Sequence, residues 1–209
     1  MTNEKIVAEK LLQINAIKLS PENRFTWASG IKSPIYCDNR TILSYPYQRD
    51  FIKSELCNIV YEAYPEADLL CGVATAGIPW AAMTADQLKM PLIYCRPEPK
   101  KHGLGNQIEG KYDNKQTVVV IEDLVSTGKS SLQVVDVLQQ AGLQVVGMVA
   151  IFSYGFAMAT TNFELKNVPL KTLTNYGALI EVAIEKGILS ADMEKELLAW
   201  REEFLINNE

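Results

Sequence analysis

The stretch TVVVIEDLVSTGKSS, Thr117–Ser131, sets the reading of the whole chain. Val118 to Ile121 form a short solid apolar run, the pattern of a strand buried on both faces. Two acids follow, Glu122 and Asp123, and then Leu124, Val125, Ser126, Thr127, Gly128, Lys129 and Ser130 lead into a helical pattern. On this pattern the strand ends at Ile121, a loop follows, and a helix runs from Ser130 to Gln140 with a stop signal at Gly142. Gly128-Lys129-Ser130 match the second half of the P-loop pattern, GxxxxGK[ST]. The first glycine of that pattern falls at position 123, where this chain has aspartate. A close phosphate cradle does not tolerate that carboxylate, so a P-loop is rejected. The acidic entrance calls for a different ligand.

The 209 residues are 48% apolar, which suits one compact α/β domain over 1–209. A formal net charge of −5 gives no support to broad nucleic-acid binding, which needs a basic surface. Cys37, Cys57, Cys71 and Cys95 stand 20, 14 and 24 residues apart, with no CxxC, and His102 is the single histidine. That spacing argues against zinc and reads as reduced thiols. The N-terminal segment carries charge throughout, with Val7, Leu11 and Ile14 at helical spacing, so it reads as an amphipathic helix and not a signal peptide. The longest apolar run, Val145 to Phe152, has strand length. A membrane helix needs roughly 20 such residues, so the expected location is the cytoplasm, with no membrane partner.

Outward from the acidic loop, solid apolar runs alternate with helical patterns. ADLLCGV (Ala67–Val73) is a strand, ATAGIP a turn, Trp80–Lys89 a helix with Pro79 in its first turn, PLIYC a short strand, and QVVGMVAIF a further strand. This order predicts a mainly parallel central sheet covered by helices on both faces. About residues 1–45 read as a helix followed by a small hood of extended segments. Tyr45–Tyr64 read as a helix, and two more helices close the chain, one on Tyr176, Leu179, Ile180, Ala183 and Ile184, the other on Met193, Leu197 and Trp200. Arg96–Gln116 is too polar for core and too long for a simple connection, which is how lids read.

A loop at the carboxyl end of a parallel strand lies where open α/β sheets bind ligands. The free N–H groups of Ser126–Ser130 at a helix start favour a phosphate monoester. Two acids one step earlier accept hydrogen bonds from vicinal hydroxyls. Together they describe a ribose 5-phosphate. This constellation, VVVI-ED-LV-STGKS, resembles the phosphoribosyl diphosphate (PRPP) signature of the type I phosphoribosyltransferases. GVATAGIP, Gly72–Pro79, is a second small-residue turn whose N–H groups suit the diphosphate of the same ligand.

Two further stretches, RFTWASGIKSPIYCDNR and KKHGLG, resemble the orotate phosphoribosyltransferases. Phe25-Thr26 followed by Ser29-Gly30-Ile31-Lys32-Ser33-Pro34 meets that family's N-terminal pattern, and Arg96, Lys100, His102 and Gly103 meet its lid pattern. The GIP turn and TLTNYGALIEVAIEKGIL extend the likeness along the chain. The resemblance implies a type I phosphoribosyltransferase fold and transfer of ribose 5-phosphate from PRPP to orotate with Mg²⁺, giving orotidine 5′-monophosphate and diphosphate. It also implies a homodimer whose lids, residues 96–116, close over the neighbouring site. By the same resemblance Arg96, Lys100 and His102 bind PRPP, and Lys100 and His102 act in catalysis. Glu122–Ser130, Thr75 and Ala76 also bind PRPP, Ser126 touches orotate as well, Tyr36 and Cys37 flank the orotate ring, and the metal arrives on PRPP without a protein cage. The chain departs from some relatives at Ala28, Ala76 and Pro97, where they carry lysine, and near Tyr154, where they carry arginine. Transfer to another base, and a non-enzymatic PRPP sensor, are the alternative readings. A sensor would lack the lid cations and carry a basic extension.

Overall fold

A computed structural model describes residues 2–27, 30–98 and 107–206. Helix α1 (Asn3–Gln13) buries Val7, Ala8 and Leu11, as its spacing predicts. Strands β1 (Ile17–Leu19), β2 (Phe25–Thr26), β3 (Lys32–Ser33) and β4 (Ile35–Cys37) follow, β1 pairing antiparallel with β4 and β2 with β3. These two small ribbons are the hood. A 3₁₀ turn, Asn39–Ser44, leads into α2 (Pro46–Ala63).

The central layer then begins with β5 (Leu69–Val73), α3 (Gly77–Leu88), β6 (Leu92–Cys95) and β7 (Ile108–Glu109). It continues through β8 (Thr117–Val125), α4 (Lys129–Gln140), β9 (Gln144–Ser153), α5 (Ala157–Leu165) and β10 (Leu170–Asn175). Helices α6 (Tyr176–Glu185) and α7 (Ala191–Ile206) close the chain. The sheet order is β10-β9-β8-β5-β6-β7, and every neighbouring pair is parallel except β6 with β7. From β5 the chain crosses to β6 on one side. From β8, on the other side of β5, it runs away to β9 and β10. The strand order therefore reverses between β5 and β8, and the crevice at such a point is where open α/β sheets take ligands.

Side chains alternate between two cores. Leu70, Val119, Ile121, Val149 and Ile151 face the layer holding α1, α2, α3 and α6. Cys71, Val118, Val120, Met148 and Ala150 face the layer holding α4 and α5. Burial on both faces is why these strands read as solid apolar runs. Helix α4 stops as Gly142 predicts, with the Leu143 N–H donating to Leu138 O (3.1 Å) and the Gly142 N–H to Gln139 O (3.0 Å). No described helix is long and apolar enough to cross a membrane.

Four boundaries differ from the sequence reading. Strand β8 does not end at Ile121 but continues to Val125, because β9 runs alongside it and pairs Leu124 with Phe152 and Val125 with Ser153. Helix α3 starts at Gly77, so the GIP turn is its first turn. Within the polar segment 96–116, β7 returns to the sheet, Tyr94 opposite Glu109 and Cys95 opposite Ile108. The pair α5 and β10 was not read from the sequence at all.

Leu138 is fully buried on the inner face of α4, whereas Gln139 beside it is exposed. Leu138→Ala is expected to cost about 2–5 kcal/mol in a denaturant titration, and Gln139→Ala no more than about 0.5 kcal/mol.

Candidate active site

The adjacent carboxyl ends of β5 and β8 each lead through a loop into a helix, and the first residue of α3 packs against β8. A Cβ at Gly77 would lie 2.6 Å from the Ile121 carbonyl oxygen and 3.4 Å from Glu122 Cα, so only glycine permits this approach. The Ala74–Thr75 peptide of the first loop is cis. In the second loop Gly128 has φ +78°, and a Cβ there would meet the Phe163 ring at 2.8 Å. Asn162 Nδ2 donates to Thr127 O at 3.1 Å. Helix α5 thus backs the 126–128 turn with one ring and one amide. The first N–H groups of α4 have no partner within the helix and point out of its start.

The two acids are held differently. Glu122 is 5% exposed, and both its oxygens are engaged: Ser131 Oγ donates to one (3.1 Å) and the Asp123 N–H to the other (2.9 Å). Burial, with the Asp123 charge next to it, pushes the Glu122 carboxyl well above the usual range. Asp123 is half-buried and also raised by burial. Its carbonyl oxygen accepts from Asn39 Nδ2 at 2.6 Å, a bond that pins the hood's exit to the strand end. Side-chain alternation reverses across the acids: Val118 and Val120 share one core with Val125, and Val119 and Ile121 share the other with Leu124.

On the hood side a cleft of about 210 Å³ is lined by Trp27, Tyr36, Cys37, Leu124, Ser126 and Tyr154. It has a flat aromatic character. Trp27 and Tyr154 lie 5.2 Å apart, and the Trp27 N–H is fixed on Ile35 O at 3.0 Å. Burial first, then the charges of Asp123 and Asp38, raise the Cys37 thiol, so it lines the cleft as a neutral group. A second cleft, about 320 Å³, has Ala74, Arg96, Gln107 and Ser130 in its lining. Arg96 stands at the base of the polar segment, its N–H on Gln107 O (2.8 Å) and its guanidinium 3.5 Å from Glu109.

The structure therefore brings Tyr36, Cys37, Leu124 and Ser126 into one cleft and Arg96 and Ser130 into another, with Glu122, Asp123, Thr127, Gly128 and Lys129 between them. Thr75 and Ala76 lie in the first loop, directly before α3. Val125 is fully buried and offers a ligand only its backbone. Lys100 and His102, with Ala28, lie outside the described residues. Pro97 lines the second cleft. Tyr154, read from the sequence only as the place of a missing arginine, is an aromatic wall, and Trp27 was not singled out. Its place inside FTWASG was the available signal.

Residues 55–181 match the phosphoribosyl transferase domain. Over 200 residues the chain is 50% identical to an orotate phosphoribosyltransferase of Bacteroides fragilis, covering 96% of this chain and 94% of that protein. The chain belongs to the orotate phosphoribosyltransferase family. A Listeria monocytogenes member of the family is 50% identical over 201 residues, 96% of each chain. The solved structure of the family member from Aeropyrum pernix superposes with a TM-score of 0.76 at 28% identity, covering 88% of this chain and 99% of that one. The domain match stops short of the hood at one end and of α7 at the other. Half of the aromatic cleft, Trp27, Tyr36 and Cys37, therefore lies outside the part shared with phosphoribosyltransferases in general.

A buried carboxyl whose folded pKa is raised favours the fold below its unfolded pKa, and that contribution is lost as pH rises through the raised value. Glu122→Gln keeps an oxygen for the Asp123 N–H and an amide for Ser131, and removes the proton equilibrium. The variant's melting temperature minus that of the wild type is expected to be larger at pH 8 than at pH 5, read by thermal unfolding at both.

Proposed function

We propose that this chain transfers ribose 5-phosphate from PRPP to orotate, giving orotidine 5′-monophosphate and diphosphate, a step in making pyrimidine nucleotides. The observation that carries the reading is the aromatic cleft next to the phosphate loop, because it offers a flat acceptor a seat within reach of the ribose. In this reading the 126–130 turn and the start of α4 hold the 5-phosphate, and Asp123, supported by Glu122, takes the ribose hydroxyls. Thr75, Ala76 and Arg96 receive the diphosphate. In this reading orotate lies on the aromatic surface that Trp27 and Tyr154 form together, with Tyr36 and Cys37 at its edge and Ser126 donating to it. A mostly apolar, aromatic cleft with a few placed polar groups is the usual form of a site for a flat ligand.

Mg²⁺ is the metal this reading implies. Among the described residues no group of three His, Cys, Asp or Glu side chains can hold an ion. A hard cation that keeps several waters and comes on substrate phosphates touches protein through one or two carboxylates. Asp123 is the carboxylate available to it. Bound with the diphosphate, the metal supplies neutralisation of the leaving charge.

The protein's own part is positioning and charge. Orotate's ring nitrogen, having lost its proton, forms the new bond to the anomeric carbon as the bond to the diphosphate oxygen breaks. Lys100 and His102 come down on that oxygen, one with charge and one with a proton or hydrogen bond, and the closed lid keeps water from the sugar. We take the whole chain, 1–209, as one functional unit, with residues 1–45 as hood and 96–116 as lid. It works in the cytoplasm as a homodimer, each lid serving the neighbouring site.

Orotate absorbance followed with PRPP and Mg²⁺, beside hypoxanthine, adenine and uracil, tests the reaction. Loss of orotate alone, and only with PRPP, is the expected result. Turnover of a purine instead would overturn the acceptor, and PRPP binding with no turnover of any base would overturn the enzyme. Lys100→Ala and His102→Ala are each expected to lower kcat by about 10²–10⁴, with a much smaller change in PRPP affinity. An unchanged kcat in either variant removes that residue from the lid's role.

A further inference from the structure

We infer that α7 positions the acceptor cleft, acting through Phe204 and Trp200 on its two aromatic walls; the inference rests on reading that cleft as the orotate seat. Neither wall is self-supporting. Trp27 follows β2, and the β2–β3 ribbon pairs only Phe25 with Ser33 and Thr26 with Lys32. Isolated two-stranded ribbons are marginal in water. The Trp27 indole is held on Ile35 O from within the hood, and α7 buttresses the ribbon from outside. Trp200 Nε1 donates to Lys32 O at 3.2 Å, and Arg24, just before β2, pairs with Glu196 at 3.0 Å. The Trp200 ring also meets Trp27 edge-on, 6.0 Å away at 87°.

The second wall is supported by a stack of rings. Tyr154 lies on Phe156, 5.4 Å away and within 5° of parallel, and Phe156 lies on Phe204, 4.2 Å away and within 6°. Phe204 also reaches Trp27 itself, 5.9 Å between centroids. One helix near the end of the chain thus touches one wall directly and the other through a single intervening ring. The helix is anchored in turn on α6, where Tyr176 Oη donates to Leu197 O at 2.9 Å. Trp200 and Phe204 both turn toward the walls of the acceptor cleft, and through them the helix bears on the acceptor.

The test is steady-state kinetics of Phe204→Leu and Phe204→Tyr with orotate and PRPP varied in turn. Loss of the stacked ring is expected to raise the orotate KM about three- to tenfold, with the PRPP KM and kcat within about twofold and near-complete rescue in Phe204→Tyr. Equal rises in both KM values, or none, would overturn the inference, since a merely structural helix would weaken both sites or neither. Should Phe204→Leu fail to fold, Trp200→Phe keeps an aromatic ring, makes it smaller and deletes the donor to Lys32. Its orotate KM is then expected to rise about threefold at an unchanged PRPP KM, and no rise counts against the role. If the wild type prefers another base, the acceptor assignment fails, and the same KM ratio measured with that base still decides what α7 does.

Discussion

The parallel pairing of β5 with β8 is the constraint on which everything else rests. Leu69 to Gly72 run beside Val118 to Ile121, so the loop after β5 and the further run of β8 to Val125 emerge at the same edge of the sheet on neighbouring strands. No insertion separates them. The Gly77 backbone sits against the Ile121 carbonyl at a distance that excludes any side chain. Because the strand order reverses here, the helix after β5 leaves on one face and the helix after β8 on the other. The two helix starts can therefore serve one bound molecule from two directions without competing for space.

The acid pair before the turn into α4 is explained by this arrangement. Glu122 is part of the sheet, paired opposite Ala150, and its buried carboxyl braces the first turn of α4 through Ser131. Asp123 stands one residue further out and is tied to the hood by Asn39. The strand end thus joins the phosphate loop to the hood, and a shift in either is felt by the other.

Much of this architecture was legible in the sequence, and the exceptions have physical causes. The apolar runs at Leu69–Val73 and Val145–Phe152 read as buried strands because both faces are covered. The small-residue turns lead into α3 and α4, as the helical patterns behind them predict. Strand β8 was cut short since two adjacent acids look like loop; only the partner strand and an internal hydroxyl make a buried glutamate tolerable there. Strand β7 has only two residues, too few to carry a period. Helix α5 escaped because its polar and apolar residues are not segregated, and it buries little beyond Ala159 and Phe163. The aromatic walls were invisible as a group. Trp27, Tyr154, Trp200 and Phe204 are more than 40 residues apart in three places along the chain, and only folding unites them.

The backing of the phosphate turn by α5 has a thermodynamic consequence. A polar turn that must order itself around an anion gives up backbone freedom of about 1–2 kcal/mol per residue at the moment of binding. Here the Asn162 amide holds the Thr127 carbonyl and the Phe163 ring closes over Gly128 before any ligand is present. That entropy is surrendered when the chain folds, not when the substrate arrives. The turn is therefore already shaped before an anion reaches it, and the interaction energy of such an encounter is not spent on shaping it.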